Sequence, residues 1–584
     1  MAYRPTLMGT RGMVATEHYL SAEAGMRILH AGGNAFDAAV AATLAEGVLN
    51  PHMHTFGGEI SALAYLAKEK NVVAINGDTV APKAATIEAF QQRGIKLIPF
   101  SDVLAAGPCA APDALLTILQ RFGTLSFTEV VEPALELAEG GFPLHPALRG
   151  PAPVYMLTDF SVAGNADHFR KAWPSSAKVY LPGGRLPDVG EVLKNPDLAR
   201  TFRRLIDAEK KGQSQGRAHG LAAARDAFYT GDIAHIIVEH AKTRGGFLTL
   251  EDFAHYHCKT EAPVSCNYRG YEVYKCGPWS QGPVFLQQLA LLEGYDLKDM
   301  GHNSAAYIHT LVEAAKLAFA DREQYYGDPD FVDVPMAGLL SKDYAASRRS
   351  LIDPRRASLE QRPGNPRTGA AMLQGEDIFA ARNWGPGTVY VTVVDKERNM
   401  ASFTPSGAWI PSSPVIDGVG FPLGTRVQTF YLDPRHPNAL VPGKRPRTTL
   451  TPTLVLRNGA PCMVFGTPGG DQQDQWTLQF FLNVVEFEMP IQDAIEMPRF
   501  STAHFPSSFY PHNAVPGLLR VENRIPAEVC QELAARGHTL EVKEGWSEGD
   551  VLGIGVDQER GVLHGGADPR GEQSKRMPSY AMGW

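Results

Sequence analysis

The sequence predicts an α+β protein, with a helix-rich first part and a strand-rich last third. Over 305–321, apolar residues recur three and four positions apart, which is the spacing of one apolar helix face. The strand-rich part begins with the apolar run VYVTVV at 389–394. Within it, Asn458 and Gly459 separate the runs TPTLVL and CMVFG, and this pair predicts a β-hairpin.

Four further elements are predicted from local sequence signals. Asn34 suits a helix N-cap ahead of AFDAAVAATLAEGVL, and ISALAYLA at 60–67 predicts a strand. The run TFYLD at 429–433 also predicts a strand. A glycine-rich turn then leads to Asp471, which we expect to cap the helix that contains DQWTLQFFLNVVEF.

The composition is that of an ordinary globular chain. Of its 584 residues, 44% are hydrophobic and 20% charged, and a formal net charge of −8 argues against a nucleic-acid partner. The six cysteines form no CxxC pair, so neither structural zinc nor a disulfide framework is expected. The chain has no apolar run of about 18 residues that could span a membrane, and its amino terminus lacks a signal-peptide core. We therefore expect a cytoplasmic protein.

The residues around Thr388 predict a self-cleaving chain. A polar segment without periodicity, 352–387, is typical of a flexible connection and ends in Gly-Pro-Gly directly before this threonine. A hydroxyl residue after glycine, at the start of a strand, is the arrangement that an N→O acyl shift needs, because glycine leaves its carbonyl unhindered. Cleavage between Gly387 and Thr388 would divide the chain into 1–387 and 388–584.

Cleavage would make Thr388 both a nucleophile and its own base. A free α-amine has an ordinary pKa of about 7.7–8.0 and can take the proton of the neighbouring hydroxyl. Gly469 and Gly470, between a strand and a helix, either present amides to an oxyanion or only form a tight turn. Thr448 and Thr449 either bind a substrate oxygen or are β-branched strand residues.

Several motifs resemble, in order along the chain, the γ-glutamyltransferase family of N-terminal-nucleophile hydrolases. They are GGNAFDAAVAATLA, EAAKLAFADREQYYGDPDF, TVYVTVVDKERNMASFTPS, LDPRHPNALVPGKRPRTTLTPT, GTPGGDQQ and HGGADPRG, and together they span nearly the whole length. The resemblance implies a four-layer αββα sandwich, assembled from a large and a small subunit after self-cleavage. It implies no cofactor or metal, and we also consider a dimer of these two-subunit units.

The resemblance also implies a role for each candidate residue. Thr388 is the nucleophile, Gly387–Thr388 is the processing bond, and Gly469 and Gly470 supply the oxyanion-hole amides. The other matching positions are Thr448 and Thr449, where the family has two serines that contact the substrate carboxylate, and Ser406, near a threonine that supports the amine of the nucleophile.

The residues expected to recognise a γ-glutamyl head group depart from the family pattern. Asp78 stands where the family has an arginine for the α-carboxylate. Arg426 and Thr429 stand in the stretch that carries acids for the α-ammonium, and a family asparagine maps near Gly407-Ala408. Both ends of a zwitterionic head group would therefore lose their partners, unless loops shift so that other residues substitute, or Asp78 and Arg426 face solvent.

We therefore expect a self-processing N-terminal-threonine hydrolase of a small acyl amide other than a γ-glutamyl one, with oxamate-like amides as one model and Arg426 as a carboxylate-binding residue. Two alternatives remain open: a true γ-glutamyltransferase acting on glutathione, and an unprocessed, non-catalytic binding relative. The pairs His52/His54 and His255/His257 resemble metal ligands, but no carboxylate completes either set. We interpret them as loop or core histidines.

Overall fold

The computed structural model describes residues 2–150, 160–368, 387–573 and 579–584. Part of the predicted connection at 352–387 lies outside these ranges. The α-helices are α1 (Tyr19–His30), α2 (Ala35–Leu49), α3 (Ile87–Gln92), α4 (Ala111–Phe122), α5 (Phe127–Gly140), α6 (Pro146–Arg149), α7 (Val162–Ala172), α8 (Pro174–Tyr180), α9 (Pro196–Gly212), α10 (Arg217–Tyr229), α11 (Asp232–Thr243), α12 (Leu250–His255), α13 (Pro283–Leu292), α14 (Leu297–Met300), α15 (Ala305–Tyr325), α16 (Met336–Leu339), α17 (Lys342–Arg349), α18 (Gln473–Val485), α19 (Ile491–Glu496), α20 (Ala527–Ala535) and α21 (Arg570–Gln573).

The strands form two large antiparallel sheets and two small sheets. They are β1 (Leu7–Gly9), β2 (Met13–Thr16), β3 (Glu59–Leu66), β4 (Asn71–Gly77), β5 (Phe142–Pro143), β6 (Val192–Leu193), β7 (Lys259–Glu261), β8 (Val264–Tyr268), β9 (Tyr271–Lys275), β10 (Val391–Val394), β11 (Met400–Ser406), β12 (Thr453–Arg457), β13 (Ala460–Gly466), β14 (Phe500–Thr502), β15 (Leu518–Glu522), β16 (Thr539–Lys543), β17 (Leu552–Asp557), β18 (Val562–Ala567) and β19 (Tyr580–Gly583). The first large sheet has the order β1-β18-β17-β13-β12-β9-β8, and the second β19-β2-β10-β11-β3-β4-β7.

The two large sheets pack face to face, and helices cover both outer faces. Met13 and Leu63 of the second sheet share an apolar core with Leu454 and Val464 of the first. The other face of the second sheet packs against α1, α2, α4 and α5, and that of the first sheet against α13, α15 and α18. The layers are therefore helix, sheet, sheet, helix, which confirms the α+β class and the αββα sandwich. In the described ranges, no helix has the length and apolar character of a membrane span.

Each large sheet contains strands from both sides of the Gly387–Thr388 bond. The first joins β9 to β12 and β1 to β18, and the second joins β2 to β10 and β3 to β11. Backbone hydrogen bonds thus tie the two parts together along several strands. We expect a chain cut at this bond to remain one folded unit, while the division at 387 itself stays a prediction.

The elements with clear local signals are present. Helix α15 covers the predicted 305–321 and continues to Tyr325. Helix α2 begins after Asn34, whose side chain accepts from the backbone N–H of Asp37, while the Asp37 side chain accepts in return from the backbone N–H of Asn34. The hairpin of β12 and β13 turns at Asn458 and Gly459, whose φ angles are 53° and 73°.

The predicted strand at 429–433 is wrong. Arg426–Thr429 is a short 3-10 turn, and Tyr431 makes only an isolated bridge to Ala439. The carbonyl of Thr429 accepts from the side chain of Asn438 at 2.8 Å, so a local loop contact replaces a strand partner.

Two other predictions also differ from the structure. Asp471 does not cap α18, because its carboxylate pairs with the buried guanidinium of Arg322. The described part of the polar connection, 352–368, contains no helix or strand, as expected, but it is anchored to the fold. Its Arg362 donates to Glu313 of α15 at 2.8 Å.

Candidate active site

Thr388 lies just before β10 in the second large sheet. It pairs with Ser406, at the end of β11, in an isolated antiparallel bridge, and the backbone N–H of Val389 donates to the carbonyl of Pro405 at 3.0 Å. This pairing places the hydroxyl oxygens of Thr388 and Ser406 3.2 Å apart. Only 2% of Thr388 is exposed, so the predicted nucleophile lies inside the protein beside a second hydroxyl.

Two side-chain donors hold the carbonyl of Gly387, on the predicted processing bond. Ser406 Oγ donates to it at 2.9 Å, and the indole N–H of Trp409 donates at 2.6 Å. A Cβ at this position would lie 2.4 Å from the sulfur of Met53 and 2.9 Å from the carbonyl oxygen of His52. This close approach gives a packing reason for glycine on the amino-terminal side of the bond.

A buried ion pair reaches the hydroxyl of Ser406. Arg426 donates to one oxygen of Glu59 through Nε at 2.8 Å and through Nη2 at 2.5 Å, and Nη2 also donates to Ser406 Oγ at 2.9 Å. Both charged side chains are buried. Loss of one partner of such a pair leaves an uncompensated charge, at a cost of about 3–5 kcal/mol, so each residue fixes the other.

Asp78, directly after β4, is buried beside this ion pair. Burial and then the negative charge of Glu59 raise the pKa of the Asp78 carboxyl well above its ordinary range. One of its oxygens accepts from the backbone N–H of Thr79 at 2.9 Å. In the described part of the chain, its other oxygen and Nη1 of Arg426 have no hydrogen-bond partner. Neither side chain faces solvent, so the alternative in which both point outward is wrong.

Gly469 and Gly470 form the turn between β13 and α18. Their φ angles of 129° and 58° lie in the left-handed region, and a Cβ on Gly469 would come within 2.2 Å of the ring of Trp476. Among the described residues, neither backbone N–H of this pair donates a hydrogen bond, so both remain available to an oxyanion. The two glycines therefore form a tight turn, which is one interpretation of the sequence. Their amides are also unpaired, which the other interpretation, an oxyanion site, requires.

Contact between the two sheets links this turn to the nucleophile. A Cβ on Gly466, at the end of β13, would lie 2.3 Å from a ring carbon of Tyr390. Tyr390 closely follows Thr388 along the chain, and Gly466 closely precedes Gly469. The sheet packing therefore brings the segment of the nucleophile and the glycine turn towards each other.

Thr448 and Thr449 lie beside the same turn. The side-chain amide of Gln473 donates to the carbonyl of Thr449 at 2.9 Å and to that of Gly470 at 3.0 Å. Thr448 pairs with Ser280 in a parallel bridge. Within the described ranges, the buried hydroxyl oxygen of Thr449 has no hydrogen-bond partner, which leaves it free for a substrate atom.

The predicted residues therefore form two groups. One contains Gly387, Thr388, Ser406, Arg426 and Asp78, and the other contains Gly469, Gly470, Thr448 and Thr449. Sequence reasoning missed two residues of the first group, Glu59 and Trp409. The position of Glu59, directly after Gly57-Gly58, could have drawn attention to it, whereas nothing in the sequence pointed to Trp409.

One further cluster has the composition of a metal site. His309, Glu313 and His538 offer ligand atoms that all lie within 4.8 Å of one another. However, the carboxylate of Glu313 already accepts from Lys316 at 2.7 Å and from Arg362 at 2.8 Å. Two cations on this carboxylate oppose a third, so we interpret the cluster as a structural polar network.

The fold and the site together define a class of protein. Two facing sheets between helical layers, with a hydroxyl residue before a buried strand, are the architecture of N-terminal-nucleophile hydrolases. The family model of gamma-glutamyltranspeptidase matches residues 21–577. The chain belongs to this family and is an enzyme of the amide hydrolase and acyltransferase type.

The relatives of this chain bear different names. The glutathione hydrolase-like YwrD proenzyme of Bacillus subtilis is 34% identical, over 97% of this chain and 98% of its own length. The solved structure of LmbA2991HD has a TM-score of 0.92 and 41% identity, with 100% of both chains covered. Cephalosporin acylase from Bacillus halodurans has a TM-score of 0.84 and 29% identity, with 100% of this chain and 98% of that one covered. The first and the third of these proteins are named for different substrates, glutathione and a cephalosporin.

Two buried histidines, His18 and His52, and the partly buried His145 form a cluster next to the Gly387 segment. The ring centroids of His18 and His52 lie 5.2 Å and 5.8 Å from that of His145. Burial lowers the pKa of His18 to about 3 and that of His145 to about 4, and it lowers that of His52 well below the ordinary range. In the described ranges, both ring nitrogens of His52 lack a hydrogen-bond partner. Of the two readings of this pair, loop or core, the structure supports the second, because both His52 and His54 are buried.

His52→Leu is expected to gain stability relative to the wild type as the pH falls below about 6.5. The unfolded chain protonates this histidine below about 6.5 but the folded chain does not, so the wild type loses up to about 1.4 kcal/mol per pH unit in this window. Buried acids act in the opposite direction, as for Glu46, whose pKa burial raises to about 7. The measured quantity is therefore the difference in Tm between variant and wild type at several pH values. His255→Leu, at an exposed histidine, is the control, and a difference that stays constant with pH for His52→Leu would contradict the prediction.

Proposed function

We propose that the chain cleaves itself before Thr388 and then hydrolyses the amide bond of a small acyl amide whose acyl group carries no zwitterion. The observation that carries the proposal is the ion pair of Glu59 and Arg426 beside Ser406, which is itself in contact with Thr388. It supports the proposal because the guanidinium that contacts Ser406 is already neutralised inside the protein.

The residues of the site supply each step of amide hydrolysis. As Oγ of Thr388 adds to the substrate carbonyl carbon, the freed α-amine takes the hydroxyl proton. The backbone N–H groups of Gly469 and Gly470 bind the oxyanion. The C–N bond then breaks, the leaving amine takes the proton from the α-amine, and an ester remains on Thr388. Water adds to this ester with the same base, which releases the acid and restores the hydroxyl.

The buried charges disfavour a γ-glutamyl head group. Glu59 and Arg426 neutralise each other, and the raised pKa of Asp78 favours its neutral form. An entering ammonium and carboxylate would find no free counter-charge among these three residues, and burial of unpaired charge is costly. The same pairing argues against Arg426 as a carboxylate site. A carboxamide, with both donors and acceptors, matches the free Nη1 of Arg426 and the free oxygen of Asp78.

A panel of anilides with one leaving amine and different acyl groups tests this proposal. We expect kcat/KM to fall from the oxamyl to the glutaryl to the γ-glutamyl substrate. The last should be about 100-fold below the first, because each unpaired buried polar group costs about 1–3 kcal/mol. If the γ-glutamyl anilide were the best substrate, the protein would instead share the activity that its YwrD relative is named for.

Two variants of Asp78 provide a matched control for the panel. Asp78→Asn keeps the shape and the hydrogen-bonding oxygen, so kcat/KM for the oxamyl substrate should change by less than about threefold. Asp78→Leu removes the oxygen, and we expect a loss of about tenfold. Equal effects of the two variants would show that this side chain does not bind the acyl group.

A further inference from the structure

Gly387 presents its carbonyl to a pair of donors that the turnover mechanism does not use. We propose that the indole N–H of Trp409, together with Ser406 Oγ, forms the oxyanion site for self-cleavage. Trp409 is then a catalytic residue of the processing step, whereas Gly469 and Gly470 serve substrate turnover. The proposal rests on the proposed function, in that the chain must cleave after Gly387.

The side chain of Trp409 is held as a rigid donor. It is fully buried, and its ring stacks on Phe100 with 5.8 Å between centroids and 7° between planes. Phe160 meets the same ring edge-on at 5.8 Å, and the guanidinium of Arg426 lies over it, 5.3 Å from the centroid. A buried indole N–H needs an acceptor, and the acceptor here is the carbonyl of Gly387 at 2.6 Å.

The cleavage step balances with the groups present and one water. Oγ of Thr388 adds to the carbonyl carbon of Gly387, and the electron pair of the C=O bond moves onto the oxygen. Trp409 and Ser406 stabilise this oxyanion. When the pair returns, the C–N bond breaks and the proton from Oγ passes to the nitrogen, which leaves an ester and a free α-amine. Water then hydrolyses the ester to the carboxylate of Gly387 and the hydroxyl of Thr388.

The surrounding hydrogen bonds orient this site towards Gly387. Nη2 of Arg426 donates a hydrogen bond to Ser406 Oγ, so the Ser406 hydroxyl accepts on one side and donates its own hydrogen to the Gly387 carbonyl. The oxygen of Gly387 thus meets two donors, which matches its two lone pairs. A third donor from the glycine turn is not needed for this step.

A time course of self-cleavage tests the proposal. Full-length chain is made by cell-free translation, and cleavage is followed on denaturing gels. Trp409→Phe should lengthen the half-time about 100-fold, as expected when one oxyanion donor is removed. Phe100→Leu changes the packing of the same aromatic cluster without removing the donor, and its half-time should stay within about threefold of the wild type.

A second replacement separates the donor from the shape of the side chain. Benzothienylalanine at position 409 keeps the bicyclic ring but has no N–H, so it should slow cleavage as much as phenylalanine does. For both replacements, the fall in cleavage rate should exceed the fall in turnover per free Thr388 amine. Cleavage of the benzothienyl chain at the wild-type rate would overturn the role of Trp409 alone, while a wild-type chain that never cleaves would overturn the proposed function as well.

Discussion

Thr388→Ala is expected to leave the chain at full length and to abolish amide hydrolysis. Without the hydroxyl, nothing can add to the carbonyl of Gly387 and no α-amine is released, so the variant lacks both nucleophile and base. The expected fall in kcat is at least about 10⁴-fold, which is the scale seen when a covalent nucleophile is removed. A denaturing gel and a kcat measurement on the preferred anilide check both effects.

Thr388→Ser is the matched control for this variant. A serine keeps a hydroxyl at the same position, 3.2 Å from Ser406 in the parent chain, so cleavage and turnover should persist at reduced rates. If the Tm of Thr388→Ala is close to that of the wild type, misfolding of this variant is excluded. A cleaved or active Thr388→Ala protein would show that the nucleophile lies elsewhere.

Gly469→Ala is expected to produce the second largest loss, a fall in kcat of about 10²–10³-fold, as on removal of one oxyanion donor. The residue has a φ of 129°, and its new Cβ would lie 2.2 Å from the Trp476 ring, so the turn and both of its N–H groups must move. Because the carbonyl of Gly387 has its own donors, the purified variant should still contain cleaved chain. The kcat of cleaved protein, counted by its free Thr388 amine, measures the effect.

Gly561→Ala separates backbone strain from loss of the oxyanion site. This glycine has a φ of 68° and nothing within 4 Å of an added Cβ, so the variant carries a left-handed backbone cost of about 1 kcal/mol in the turn between β17 and β18. Its kcat should match the wild type. A wild-type kcat for Gly469→Ala would contradict the role of the glycine turn in substrate turnover. Loss of self-cleavage as complete as the loss of turnover would contradict separate oxyanion sites for the two reactions.

Local signals in the sequence were enough for much of the fold. The capping pair of Asn34 and Asp37, the apolar stripe of α15 and the Asn458-Gly459 turn each depend on residues a few positions apart. The strand predicted at 429–433 failed because contacts with residues outside the run, a nearby loop among them, fix its conformation. Its preceding turn is fixed by Arg426, whose partner Glu59 lies 367 residues away in the chain.

In the candidate site, too, some residues could be predicted from local sequence signals, whereas others depend on contacts between distant parts of the chain. Gly387 and Thr388 are adjacent, and their order together with the family motifs around them predicts the cleavage site. The contacts of Trp409 with Gly387 and of Glu59 with Arg426 arise only when β3, β10 and β11 form one sheet. The charge balance around the acyl group could therefore not be predicted from the sequence, although the unusual positions of Asp78 and Arg426 could.

The mass and amino-terminal sequence of the purified, active enzyme test the central claim most directly. Cleavage after Gly387 in a chain of 584 residues and 63.4 kDa predicts two pieces of about 42 and about 21 kDa, the smaller of which begins at Thr388. Activity should rise in proportion to the free threonine amine. Full activity in material whose Gly387–Thr388 bond is intact would contradict the account.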